Sequence, residues 1–112
     1  MNWKIIEDYN QVENLVEASH QKPQAIFKHS TRCSISVMAK NRLERSGFPE
    51  QIQFHYLDLL QYRDISNKIA DQFGVYHQSP QILLIKNGEC TFEETHSAIS
   101  MDEIVEQATK EV

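Results

Sequence analysis

Cys33 is the residue whose type and position give this sequence its clearest chemistry. It follows a short apolar run, Ala25-Ile26-Phe27, and precedes a segment with helical spacing. A thiol placed where a strand turns into a helix lies against unpaired backbone N–H groups and the positive end of the helix dipole, and both stabilise a thiolate. The sequence therefore predicts a nucleophilic cysteine at position 33.

Three neighbours of this thiol carry groups that favour its charged form. Arg32 brings a positive charge next to it, and Ser34 and Ser36 lie in the first turn of the predicted helix. Positive charge, a hydroxyl group and free backbone N–H groups all stabilise a thiolate. We therefore predict that Arg32, Ser34 and Ser36 stabilise the Cys33 thiolate.

The length and charge of the chain restrict its class. Its 112 residues suffice for one domain, which we expect to span residues 1–112. The net charge of -5 and pI near 5.5 argue against a nucleic-acid partner. The first residues lack the pattern of a signal peptide, and no apolar run approaches the length of about 20 residues that spans a bilayer. We expect a cytoplasmic protein that binds no membrane and keeps its two cysteines reduced.

Hydrophobic spacing and turn residues predict the element order βαβαβαββα. The helix after the cysteine is predicted to turn Ile35, Met38, Ala39 and Leu43 to the core, and Asn87-Gly88 predicts a hairpin. The predicted elements are strand 3–6, helix 9–19 capped by Asp8, strand 25–29, a helix from Cys33 to Gly47, strand 53–59, a helix from the cap Asp64 to Gly74, strands 82–85 and 89–95, and a helix opened by the capping box of Ser100 and Glu103.

This order and two motifs resemble the thioredoxin fold, and more closely the YtxJ family of bacillithiol-system proteins, which are thioredoxin-like monothiol bacilliredoxins. The motifs are Lys28-His29-Ser30-Thr31-Arg32-Cys33-Ser34-Ile35-Ser36 and His77-Gln78-Ser79-Pro80-Gln81; around the second, residues 73–89 resemble the thioredoxin segment that runs from the third helix to the hairpin. The resemblance implies an α/β thioredoxin fold with a central mixed sheet flanked by helices. It also implies a cis Ser79-Pro80 bond beside Cys33.

The function that this resemblance implies is removal of bacillithiol, or a similar small thiol, from mixed disulfides with protein cysteines. The expected partners are S-thiolated proteins, a low-molecular-weight thiol as co-substrate, and a thiol reductase, and no bound cofactor is expected. Thr31, His77, Ser79 and Pro80 are expected to contact the substrate.

The second cysteine of dithiol relatives is replaced here, since Ser36 stands three residues after Cys33. The resemblance thus implies a monothiol oxidoreductase of the Cys-x-x-Ser type. Cys90 is not expected to replace the missing thiol. The strand from Pro80 to the hairpin leads it away for about 20 Å, whereas a disulfide needs Cα atoms within about 7 Å.

The sequence leaves other functions open. None of the five histidines stands in a metal-ligand spacing, so no metal site is predicted. His29 and His77 could each tune the thiol, contact substrate or serve only the fold. A glutaredoxin-like carrier of an iron–sulfur cluster and a redox-inert binding module are the alternatives. The Cys-Gly-Phe-Ser motif of cluster carriers is not present, and a cysteine at a helix start argues against an inert module.

Overall fold

The fold is described from a computed structural model, which covers residues 3–110. Its elements follow the predicted order, with the helices flanking a five-stranded sheet, so the α/β class is confirmed. The elements are β1 (Trp3–Ile5), α1 (Tyr9–Ala18), β2 (Gln24–His29), α2 (Ser34–Ser46), β3 (Gln53–Asp58), α3 (Arg63–Phe73), β4 (Gln81–Lys86), β5 (Glu89–Thr95), a 3-10 turn (His96–Ala98) and α4 (Met101–Thr109).

The sheet is mixed and has the strand order β1-β3-β2-β4-β5. The first three of these strands are parallel, whereas β4 runs antiparallel to both β2 and β5. Consequently the end of β2, from which the chain leads to Cys33, lies at the edge where β4 begins. The carboxyl ends of parallel strands are where α/β sheets commonly carry their sites.

Two apolar clusters hold the helices on the two faces of the sheet. Successive side chains of a strand point to opposite faces, so Phe27 of β2 belongs to one cluster and Ile26 to the other. The first cluster includes Ala39 and Leu43 of α2 and Ile104 of α4, and the second includes residues of α1 and α3. Every residue of β2 is buried, as expected of a central strand.

Local sequence signals set most of the helix ends. Asp8 and Gln11 form the predicted capping box at α1, and Gly74 ends α3 in the left-handed conformation with φ of 65°. The predicted cap of α3 was wrong, because the helix begins at Arg63 after Tyr62. Asp64 lies instead within the first turn, where its charge still faces the positive end of the helix dipole.

The buried face of α2 differs from the predicted one. Ile35 is 48% exposed and Met38 is 61% exposed, whereas Ser36 is fully buried together with Ala39 and Leu43. The predicted stripe was therefore wrong at its first two positions. Hydrophobicity alone favoured Ile35, but the contact of Ser36 with the end of β2 fixes the rotation of the helix.

The start of α4 shows only part of the predicted capping box. Ser100 caps α4 by accepting a hydrogen bond from the N–H group of Glu103, which is one half of the predicted capping box. The other half is absent from the contacts of residues 3–110, where the Glu103 carboxylate accepts from Gln107.

Across this described range, no helix is both long and apolar enough to cross a bilayer.

Candidate active site

Cys33 is the N-cap residue of α2, and its side chain is partly exposed. Its N–H group donates to the Ser30 carbonyl at 3.2 Å, and its own carbonyl accepts from Val37 at 3.0 Å. Within the described part of the chain, no hydrogen bond engages the N–H groups of residues 34–36. The sulfur therefore stands at a helix start whose first backbone donors remain free to stabilise negative charge.

The predicted residues around this thiol differ in their exposure. Thr31, Arg32 and Ser34 are exposed and surround Cys33 in the loop and first helical turn. No hydrogen bond or ion pair holds the Arg32 guanidinium to any residue in the range 3–110. Its charge can therefore reach a bound anion or the thiolate.

Ser36 is buried and bonded to the end of β2. Its Oγ accepts from the Ser30 N–H at 3.0 Å and lies 2.6 Å from His29 Nδ1. No hydrogen bond joins it to Cys33 among the described residues. These contacts connect α2 to the end of β2, and stabilisation of the thiolate by Ser36 stays a prediction.

His29 lies beneath the loop that carries Cys33 and is 3% exposed. Its ring stacks on Phe27 and lies against Tyr56. Burial lowers the pKa of His29, and the positive charge of Lys40 lowers it further. The imidazole is therefore neutral at neutral pH.

The Ser79-Pro80 peptide bond is cis, which confirms the prediction from the sequence. Pro80 is buried directly before β4, whose first residue, Gln81, pairs with Lys28 of β2. On its other side the Pro80 carbonyl accepts from the N–H group of His96 at 3.0 Å. The antiparallel register therefore brings the cis-proline to the same sheet edge as the end of β2.

Ser79 and His77 occupy the loop before this proline. The Ser79 Oγ is fully buried and has no hydrogen-bond partner within residues 3–110. His77 is exposed, and its Nδ1 lies 3.2 Å from Ser66 Oγ of α3. Burial, with Lys28 and Arg63 adding to it, lowers the pKa of His77. Of these two residues, His77 is therefore the one whose side chain is open to solvent.

Lys28 is a buried charge at this edge of the sheet that was not predicted from the sequence. It is fully buried, and its Nζ donates to the Ser66 carbonyl at 3.1 Å. Burial lowers its pKa to about 8. The signal that could have revealed it is a lysine inside a strand whose two faces are both covered.

The described residues form no cluster of possible metal ligands. Across residues 3–110, no three side chains of histidine, cysteine, aspartate or glutamate come together as possible ligands. Both cysteines are free thiols.

Comparison with known proteins agrees with this arrangement. Residues 4–104 match the family described as Monothiol bacilliredoxin BrxC. A solved protein described as an oxidoreductase with a thioredoxin fold is 28% identical, with a TM-score of 0.84 over 97% of this chain and 95% of that one. The thioredoxin of Malassezia sympodialis is 20% identical, with a TM-score of 0.75 over 96% of this chain and 91% of that one, and that of Fasciola hepatica is 14% identical, with a TM-score of 0.72 over 95% and 96%. The chain therefore belongs to the monothiol bacilliredoxin family and is a thiol oxidoreductase with the thioredoxin fold.

Proposed function

We propose that this protein removes bacillithiol from mixed disulfides with protein cysteines by a monothiol route. The observation that carries the proposal is the position of Cys33, a partly exposed thiol at the start of α2 with free backbone donors around it. Ser36 stands where a dithiol enzyme has its second thiol, and a hydroxyl cannot attack a disulfide. An external thiol must therefore complete the reaction.

The first step is attack of the Cys33 thiolate on the bacillithiol sulfur of the mixed disulfide. A bond forms between Cys33 Sγ and that sulfur, and the bond to the protein sulfur breaks. The substrate cysteine leaves as a thiolate and takes a proton from water. The N–H groups of residues 34–36 and the charge of Arg32 stabilise the attacking thiolate.

The second step returns Cys33 to its thiolate form. The thiolate of a second bacillithiol attacks the bacillithiol sulfur of the adduct, so that bacillithiol disulfide leaves and Cys33 is reduced. A separate thiol reductase then reduces this disulfide. We infer a cytoplasmic location, where such thiols are kept reduced.

The substrate groove is proposed at the edge of the sheet where β2 leads to Cys33 and the Ser79-Pro80 loop leads into β4. An extended segment of an S-thiolated protein can pair with the backbone at residue 79, as strands add to exposed backbone groups elsewhere. Thr31 and His77 are exposed and are proposed to contact the small thiol or the protein segment. No bound cofactor or metal takes part in this proposal.

The test is release of bacillithiol from a model protein that carries it as a mixed disulfide, followed by mass spectrometry of the enzyme. The wild type and Cys90→Ser are expected to accumulate one bacillithiol adduct on Cys33 and to resume turnover when free bacillithiol is added. Cys33→Ser is expected to show neither reaction. A disulfide between Cys33 and Cys90 as the main oxidised product would contradict the monothiol route.

Two other functions are distinguished by cheap observations. An iron–sulfur carrier purified without oxygen would be a coloured dimer with cluster absorbance. A redox-inert binding module would bind its partners equally well after Cys33→Ser. We expect a colourless protein in which Cys33→Ser prevents the transfer of bacillithiol from the S-thiolated substrate.

A further inference from the structure

The hydroxyl of Ser36 has two hydrogen-bond neighbours and one proton to share. The Ser30 N–H donates to its Oγ at 3.0 Å and occupies one lone pair. His29 Nδ1 lies at 2.6 Å from the same oxygen. A hydroxyl has two lone pairs and one proton, so the state of the imidazole decides what the proton can do.

Two hydrogen-bonding states follow from this geometry. When Nδ1 of the neutral imidazole carries no proton, it accepts the Ser36 hydroxyl proton, which is then held inside the pair. When the ring is protonated, Nδ1–H donates to Oγ, both lone pairs are occupied, and the hydroxyl proton is released. A buried hydroxyl proton needs an acceptor. The N-cap residue three positions earlier is Cys33, whose sulfur is an acceptor when it is a thiolate.

The charges around His29 oppose one another. Burial and then the charge of Lys40 from α2 disfavour the imidazolium, whereas Asp58 at the end of β3 and Glu44 of α2 favour it. The phenol of Tyr56 lies against the ring as a neutral group. Burial and Lys40 prevail, because the pKa of His29 is lowered from its ordinary value. The neutral imidazole therefore predominates at neutral pH. In its Nε2–H tautomer it holds the Ser36 hydroxyl proton, and protonation of the ring on acidification releases that proton.

We propose that His29 is a positioning residue which, through the hydroxyl of Ser36, controls the hydrogen bonding of the Cys33 thiolate. As the neutral Nε2–H tautomer it retains the Ser36 proton, and as imidazolium it releases that proton toward the sulfur. The inference rests on the proposed function only in taking Cys33 as the reacting thiolate. It assigns a role to a histidine that the thiol-exchange steps themselves do not use.

The experiment follows the ultraviolet absorbance of the thiolate as a function of pH in the reduced Cys90→Ser protein, in which Cys33 is the remaining thiol. His29→Asn places an amide near the position of Nδ1, so it keeps a hydrogen-bonding group that does not titrate. Ser36→Ala removes the hydroxyl, and Ser36→Thr restores it. The exposed His20, changed to Asn, is the matched control.

The parent protein is expected to give a biphasic curve with an inflection on the acid side of an ordinary histidine. Below that inflection the ratio of thiolate to thiol is expected to exceed the value extrapolated from a single titrating thiol by about fivefold, the effect of one hydrogen bond to the sulfur. His29→Asn and Ser36→Ala are expected to remove the inflection. Their double variant is expected to change no more than either alone. Ser36→Thr and His20→Asn are expected to keep the inflection.

An inflection that survives in either Ser36→Ala or His29→Asn would overturn the proposal, and so would additive effects in the double variant. A purely structural role would lower the unfolding free energy of the variants while the parent curve stayed monophasic. Because the measurement uses no bacillithiol, it is independent of the proposed substrate. A protein that keeps the inflection but fails to release bacillithiol would refute the function and leave this inference standing.

Discussion

Cys33 and Cys90 lie toward opposite ends of the sheet. Ile85 pairs with Gln24 on one side and with Cys90 on the other, so Cys90 lies level with the start of β2. Cys33 follows the far end of that strand. Six residues of extended chain span about 20 Å, which is far beyond the separation a disulfide tolerates. The two thiols therefore act independently.

The first prediction concerns the reactivity of these thiols. Burial raises the pKa of Cys90, and the charge of Glu93 raises it further. Cys33 stands at a helix start and is partly exposed, so iodoacetamide at neutral pH is expected to alkylate Cys33 well before Cys90. Peptide mapping of briefly labelled protein checks the order, with Cys33→Ser as the control. Faster labelling of Cys90 would refute the assignment of the active thiol.

The second prediction concerns acid stability. His55 is buried with its Nε2 at 2.7 Å from Gln24 Oε1, and burial, followed by the charge of Lys4, lowers its pKa from 6.5 to about 4. Between these values the unfolded chain binds a proton that the folded chain does not. Stability is therefore complete above pH 6.5 and falls as the pH drops toward 4. We expect His55 to account for a loss of about 3 kcal/mol.

Urea unfolding at a series of pH values measures this loss. His55→Gln keeps a polar side chain that cannot titrate, so it is expected to flatten the acid slope. The exposed His20→Gln is expected to leave the slope unchanged. An unchanged slope in His55→Gln would mean that the acid sensitivity arises elsewhere.

The third prediction concerns the buried ammonium of Lys28. Its pKa of about 8 lies below the ordinary 10.5, so the folded protein carries a penalty that is complete below pH 8 and disappears as the pH rises to 10.5. Methionine has a similar length and no charge. Lys28→Met is therefore expected to raise the unfolding free energy at neutral pH by about 1 to 2 kcal/mol.

This gain is expected to shrink as the pH rises through the same window. Chemical unfolding at neutral and alkaline pH measures it, and the exposed Lys110→Met is the control. If Lys28→Met instead destabilises the protein at neutral pH, the hydrogen bond from Nζ to the Ser66 carbonyl outweighs the desolvation of the ammonium.

The fourth prediction concerns the tie between α2 and β1. The indole N–H of Trp3 donates to Glu44 Oε2 at 2.7 Å, and Lys40 Nζ approaches the same oxygen at 2.7 Å. Glu44→Ala removes both contacts and is expected to lower the unfolding free energy by about 1 to 2 kcal/mol. Glu44→Gln keeps an acceptor for the indole and is expected to lose less.

Fluorescence gives an independent check, because Trp3 is the one tryptophan of the chain. Its emission is expected to change in Glu44→Ala and to stay near that of the wild type in Glu44→Gln. If Glu44→Ala and Glu44→Gln lose the same unfolding free energy, the ion pair with Lys40, rather than the indole contact, carries the stabilisation.

The sequence by itself determined the features that depend on neighbouring residues. The capping box of Asp8, the Asn87-Gly88 hairpin and the left-handed Gly74 each follow from local backbone chemistry. The element order and the place of Cys33 at a helix start follow from hydrophobic spacing combined with such signals. These features were predicted correctly because few distant contacts can override them.

Only the tertiary structure decided which side of α2 faces the core and what Ser36 contacts. The helical spacing allowed Ile35 and Met38 as core residues, but the hydrogen bonds of Ser36 to His29 and Ser30 turn those two side chains outward. Such partners come from another element, so spacing within one helix cannot reveal them. Lys28 shows the same limit, because its burial and lowered pKa result from α3 packing over the end of β2. Long-range packing sets the electrostatics around the thiol, since burial and charge partners exist only once the chain has folded.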